Sequence, residues 1–300
     1  MNTNNFFSLS RMVMVMKREI LENWKTNLYR LIGLYAAFAL TLIFGMIRVN
    51  NESRWLDNPD WAIGHFCQGI MIVFMIITGI ASFIYAANIM ENMKTKEERI
   101  SFLMLPATMI EKFVVKFLYV TVGLFIAILI TVSLAEITRL LLLPLFNVPV
   151  TLHQTILPKM FSMFMDMIRI SGKDSLVVYT GYEVLNYGLV TACIWTSVIW
   201  HHSLFILGGN YWYKKPFLKT LGTLWAVMFI LSSITSTVIK WTSTGNTFVL
   251  WDSARTNWTT INSVLAVSIA LFASFTIFNW WLSYKLFTRS QIIKPKFRLL

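Results

Sequence analysis

The sequence predicts an all-α integral membrane protein: six transmembrane helices, an N-terminal interfacial (elbow) helix, and a short cytosolic helix between spans two and three. Three observations carry that prediction. Apolar residues make up 56% of the 300-residue chain and charged residues only 13%, whereas a soluble domain carries about 25% charged residues. Six runs free of charge follow one another, each near the roughly 20 residues that a membrane span requires. Lysine and arginine collect in alternate connecting segments, as the positive-inside rule demands. The mean hydropathy of +0.62 agrees, and the whole chain, 1–300, reads as a single transmembrane domain.

Residues 1–30 read as the interfacial helix. Val13, Met16, Ile20, Trp24 and Leu28 recur at helical spacing, while Arg11, Lys17, Arg18, Glu22 and Lys25 take the other side. Such a helix suits the headgroup plane, with its basic face toward anionic lipid. The charges interrupt the apolar residues, so this stretch does not read as a cleavable signal peptide. Spans are expected near 31–49, 64–90, 112–135, 184–207, 220–239 and 261–284.

Between the second and third spans lies the segment from Met93 to Val120, on which the rest can be arranged. It opens with the charges Lys94, Lys96, Glu97, Glu98 and Arg99, followed by Ile100, Leu103 and Met104 on one helical face. Thr95 with Glu98, and Thr108 with Glu111, both fit the capping box, in which two side chains satisfy orphan backbone N–H groups. Pro106 separates the two helix starts, because proline disfavours helix in the residue before it. The expected element is a short amphipathic helix, a break, and then the start of span three. Displayed in water, it suits docking of a soluble partner.

Orientation follows from the basic residues. With the N-terminus inside, the inner segments hold 18 of the 26 lysines and arginines. Both termini are then cytoplasmic, as an even number of spans also requires. The longest outer segment, 136–183, is interrupted by Pro144, Pro149 and Pro158. Met160, Phe161, Phe164, Met167 and Ile168 form an apolar face after the last proline. A re-entrant or interfacial helix is expected over 157–170.

The net charge of +12 belongs to this topology rather than to nucleic-acid binding. Neither Cys67 nor Cys193 suggests a disulfide or a metal site, since both fall in apolar runs. Gly172-Lys173-Asp174 lacks the Ser or Thr that a phosphate loop needs for magnesium. His201 and His202 are adjacent, so on a helix they point about 100° apart and cannot share one metal. No metal, cofactor or catalytic residue is expected. Glu136, beside Arg139 at the outer end of span three, and Glu183 at the outer mouth of span four are candidates for lining an outer path.

The chain resembles the bacterial membrane subunits of the ABC-2 permease family, in one of its branches. The resemblance spans essentially the whole sequence. It is carried by Lys17-Arg18-Glu19 with Glu22-Asn23-Trp24, by Leu103-Met104-Leu105-Pro106-Ala107-Thr108 with Glu111-Lys112-Phe113, and by Leu207-Gly208-Gly209-Asn210 with Lys214-Lys215-Pro216. Tyr284-Lys285-Leu286 with Arg289 adds to it. It implies a dimeric transport subunit, homo- or heteromeric, in the bacterial cytoplasmic membrane, which borrows ATP hydrolysis from a separate nucleotide-binding subunit. It further implies that the stretch from Lys94 to Leu105 is the coupling helix facing that ATPase. The expected partner contacts are thus Lys94, Lys96, Glu97, Arg99, Ile100, Leu103, Met104 and Glu111, with Arg11, Lys17, Arg18 and Trp24 on the interfacial helix. Two other readings use the same features: a non-transporting membrane scaffold that uses the same cytosolic loop, and a secondary transporter. Against the latter stands the lack of acidic residues in mid-span for a coupling ion.

Overall fold

The computed structural model describes residues 7–51, 59–93, 95–146, 148–169, 186–212, 214–242 and 258–289. Among these residues there are α-helices and short 3-10 turns and no strand. The helices are α1 (Leu9–Glu22), α2 (Trp24–Asn51), α3 (Pro59–Ala87), α4 (Lys96–Leu103), α5 (Met109–Leu142), α6 (Leu157–Arg169), α7 (Tyr187–Tyr211), α8 (Pro216–Thr242) and α9 (Trp258–Thr288). Six of them, α2, α3, α5, α7, α8 and α9, are long and apolar enough to cross a membrane.

The expected interfacial helix over 1–30 is cut in two. Asn23 leaves the helical region (φ −100°, ψ 12°), and its side-chain amide donates to Glu19 O at 2.9 Å. An asparagine side chain competes in this way for the carbonyls that would continue a helix. The new helix starts at once, with Asn27 N donating to Asn23 O at 2.9 Å. Trp24 therefore belongs to the first turn of the first span, not to α1.

Span three also departs from expectation. It runs on through Glu136 and Arg139 to Leu142 and stops only before Pro144. Its uncharged centre, from Phe117 to Ala135, is roughly 30 Å long at 1.5 Å per residue, about the thickness of a hydrocarbon core. Polar clusters flank that centre at both ends.

Two compact units are distinguished: residues 1–85 with 97–167, and residues 86–96 with 168–300. The first is centred on α2, α3 and α5. Leu34, Phe38, Leu42 and Met46 of α2 meet Phe66, Ile70 and Phe74 of α3, with Leu124 and Ala135 of α5. The Phe38 and Phe74 rings lie 4.5 Å apart. Gly45 lets the two helices close, since a Cβ there would stand 2.9 Å from both Ile70 and Phe66. Leu152, Ile156 and Met160 join this core from the segment after α5. The apolar face expected on α6 is only partly inward, because Met160 is buried while Phe161 is exposed.

In the second unit α7 and α9 run in the same direction. Asn186 N donates to Asn262 Oδ1, and Asn279 Nδ2 donates to Ser203 Oγ. Both pairs are 76 residues apart, so the register holds along the two helices. Ser203, Thr276, Asn279 and Ser283 are buried, a polar seam of the kind that joins helices in lipid. At the end of α7, a Cβ on Gly208 would lie 1.9 Å from Thr220 Oγ1 of α8, and one on Gly209 would lie 2.5 Å from Ala87 O. Only glycine permits this crossing.

Candidate functional site: a polar joint of α1, α4 and α5

Thr108 opens α5 with the capping box that its sequence predicts. Glu111 N donates to Thr108 Oγ1 at 3.3 Å, and Thr108 N donates to Glu111 Oε2 at 2.8 Å. The Glu111 carboxylate does more than cap, however. Its Oε1 also accepts from Ser8 N at 2.5 Å and from Arg11 Nη2 at 2.9 Å. With 0% of its surface exposed, Glu111 ties the start of α1 to the start of α5.

A second tie lies about one turn deeper. Lys116 Nζ donates to Glu19 Oε1 at 2.6 Å, and both side chains are buried. The same ammonium stands 4.7 Å from the centre of the Phe102 ring, close enough for the ring face to attract it. A buried charge is tolerated only when paired in this way. Ser8, Arg11, Val15 and Glu19 recur every three or four residues, so one face of α1 meets α5 throughout.

The short helix α4 is fastened to both. Lys112 Nζ donates to Leu103 O at 2.8 Å, binding the last turn of α4 to α5. Arg18 donates to Ser101 through both its carbonyl and its hydroxyl, and to Glu22 at 2.6 Å. Phe102 and Arg99 are buried, whereas Lys96, Glu97, Ile100 and Met104 face outward. Burial lowers the Arg99 pKa from its usual value.

The expected partner residues therefore divide. Lys96, Glu97, Ile100 and Met104 are exposed, Met104 at 75%, and Leu103 is half-buried. Arg99 and Glu111 are not on the outer face: both are buried, and the Glu111 carboxylate is bound inside the joint. Lys94 lies outside the described residues. On α1, Arg11 donates to Glu111, and Arg18 donates to Ser101 and Glu22. The exposed face is instead apolar, with Leu9, Val13, Met14, Ile20 and Leu21 beside Lys17. Sequence reasoning missed Glu19, Lys112, Lys116 and Ser101 as members of the joint. The readable signal was Lys112 and Lys116, a cation every four residues at the mouth of an apolar run.

At the other end of α5, Glu136 and Arg139 pair as their spacing suggests, but inside the protein. Arg139 Nε and Nη2 grip the two Glu136 oxygens at 2.8 and 2.7 Å. The guanidinium also donates to Leu152 O and Gln154 O, both at 2.7 Å, while Ile156 N donates to Glu136 Oε1 at 2.9 Å. Glu136 is thus part of a clamp that holds residues 152–156 against α5. Glu183 lies outside the described residues.

His201 Nδ1 lies 2.7 Å from Ser197 O. Among the described residues no group of His, Cys, Asp or Glu is placed to hold a metal ion. Comparison with family models, with curated proteins and with solved structures returned no match.

Proposed function

We propose that this chain is the membrane-spanning permease subunit of an ABC-type exporter, driven by a separate ATPase subunit that docks on α4. The observation that carries the reading is the mounting of α4. Its outer face offers Lys96, Glu97, Ile100 and Met104, and its inner face is tied to α1 and α5 through Ser101, Phe102 and Leu103. A partner pushing on that face would move α4, α1 and the head of a spanning helix together. The motif resemblance supports the same reading. The distribution of lysine and arginine supports cytoplasmic termini, and the resemblance implies a bacterial inner membrane and a dimer of permease subunits. The exposed apolar face of α1 then lies at the inner membrane surface. Catalysis of ATP hydrolysis belongs to the partner, and the chain itself is not an enzyme.

The test is reversal of Lys96→Glu with Glu97→Lys, two exposed charges outside the joint. Rim charges steer association more than they hold the fold, so the variant should insert at wild-type yield. It is expected to lose pull-down of the nucleotide-binding subunit and stimulated ATP hydrolysis in nanodiscs. Wild-type pull-down together with wild-type hydrolysis would remove α4 as the contact. A wild-type chain that captures a partner without stimulating ATP hydrolysis would favour the scaffold.

A further inference from the structure

The end of the second unit that carries the α7–α8 turn holds five exposed cations: Lys214, Lys215, Lys219, Lys285 and Arg289. The parallel register of α7 and α9 brings them to one level. Ser203 is opposite Asn279, so the same offset sets the end of α7 at Tyr211 opposite Phe287, the last turn of α9. The turn then leads into α8, whose Phe217 ring stacks on Phe205 of α7 at 5.6 Å. Glu91 is the sole carboxylate among the described residues of this unit. Charge there is strongly one-sided.

Two of the cations lie over indole rings. Lys219 Nζ is 5.1 Å from the Trp212 ring centre, and Lys285 Nζ is 3.9 Å from that of Trp281. Indole rings favour the headgroup level of a bilayer, where one edge is wet and the other apolar. Lysine stems lie along such surface while the ammonium reaches the phosphates. Trp225, Met228 and Phe229, further along α8, are exposed apolar residues that continue the surface away from the charges.

A backbone observation points the same way. Lys215 sits at φ 50°, the one non-glycine residue with positive φ among those described. That region favours glycine, yet a lysine is kept there, directly before Pro216. A strained conformation held at one residue suggests a use for its side chain.

We propose that this end of the second unit is a binding site for the phosphate headgroups of anionic phospholipid, with Lys214, Lys215, Lys219, Lys285 and Arg289 as its donors and Trp212 and Trp281 as its floor. The occupant is lipid rather than a soluble anion or an acidic protein, because the charges border an apolar helix face and are interleaved with indoles. The proposal is independent of whether the chain transports.

The experiment uses the full chain, extracted into detergent with equal amounts of phosphatidylglycerol and phosphatidylcholine, and counts retained lipids by native mass spectrometry. The wild type is expected to retain phosphatidylglycerol preferentially. Retention of the two lipids in equal amounts would overturn the proposal without any variant. Replacing Lys214, Lys215 and Lys219 with Gln should lower the preference by about ten-fold or more, and Lys285→Gln with Arg289→Gln should lower it further. The charge-keeping Lys→Arg set should retain the lipid, which separates lost binding from lost folding. Arg48→Gln with Lys159→Gln removes as many exposed charges from the first unit as the Lys285 and Arg289 pair removes here, and should leave the preference intact. An equal loss in that control would mean that bulk charge alone attracts the lipid, and the site would be abandoned.

Discussion

Glu111 and Lys116 are five residues apart on α5, and each serves a different neighbour. Glu111 gathers Ser8, Arg11 and its own cap, while Lys116 reaches Glu19. Their energetic weights differ because Arg11 is about a third exposed, at 34%, whereas Lys116 and Glu19 are almost wholly enclosed. An exposed arginine that loses its partner is taken up by water; an enclosed glutamate is not. Lys116→Met is therefore expected to cost about 3–5 kcal/mol, the usual penalty for stranding one buried charge. Glu19→Gln combined with Lys116→Met should cost much less, because no charge then remains uncompensated. Thermal unfolding in detergent of the two singles and the double checks this, and equal losses in single and double would show that the pair is not coupled. Glu111→Ala should cost about 1–3 kcal/mol through the donors it strands.

Among the elements, the glycine-bearing end of α7 makes the sharpest contrast. Within a helix, Gly→Ala normally stabilises, by about 1 kcal/mol. At Gly222 of α8 a Cβ would meet nothing within 4 Å, so Gly222→Ala should follow that rule. At Gly209 the Cβ would stand 2.5 Å from the Ala87 carbonyl oxygen, and backbone cannot swing aside as a side chain can. Overpacking then wins, at about 1–3 kcal/mol against the fold. The two variants should shift the melting temperature in opposite directions, and a shared direction would show that the α7 crossing is not tight. Thr108 makes a similar case at α5, where loss of the cap hydroxyl in Thr108→Ala should cost about 0.5–2 kcal/mol.

For the whole molecule, orientation is the quantity that charge sets. With 18 of 26 basic residues in alternate segments, the proposed topology puts α4 and the end of α9 inside and the turn at Val150 outside. In a background lacking Cys67 and Cys193, a cysteine at Val150, 78% exposed, should react with an impermeant thiol reagent applied to intact cells. Cysteines at Lys96 and Arg289 should react only after the membrane is opened. Labelling of Lys96→Cys in intact cells would invert the topology, and with it the proposed ATPase contact.

Composition and periodicity determined that the protein is helical, that six segments can span a bilayer, and where Thr108 caps the third. These are local properties: a span needs only enough consecutive apolar residues, and a capping box needs only its own four. What tertiary structure alone decided is which charges face inward. Arg99, Glu111 and Arg11 read as surface charges because the sequence shows them in polar company, yet the chain pairs them with groups about 100 residues away or encloses them. Glu136 reads as a path residue, whereas in the structure Arg139 holds both its oxygens and Ile156 N also donates to one of them. The break at Asn23 was equally hidden, since the apolar pattern runs through it without a change of phase. Partner choice in buried ion pairs depends on which helices meet, and no periodicity within one helix carries that information.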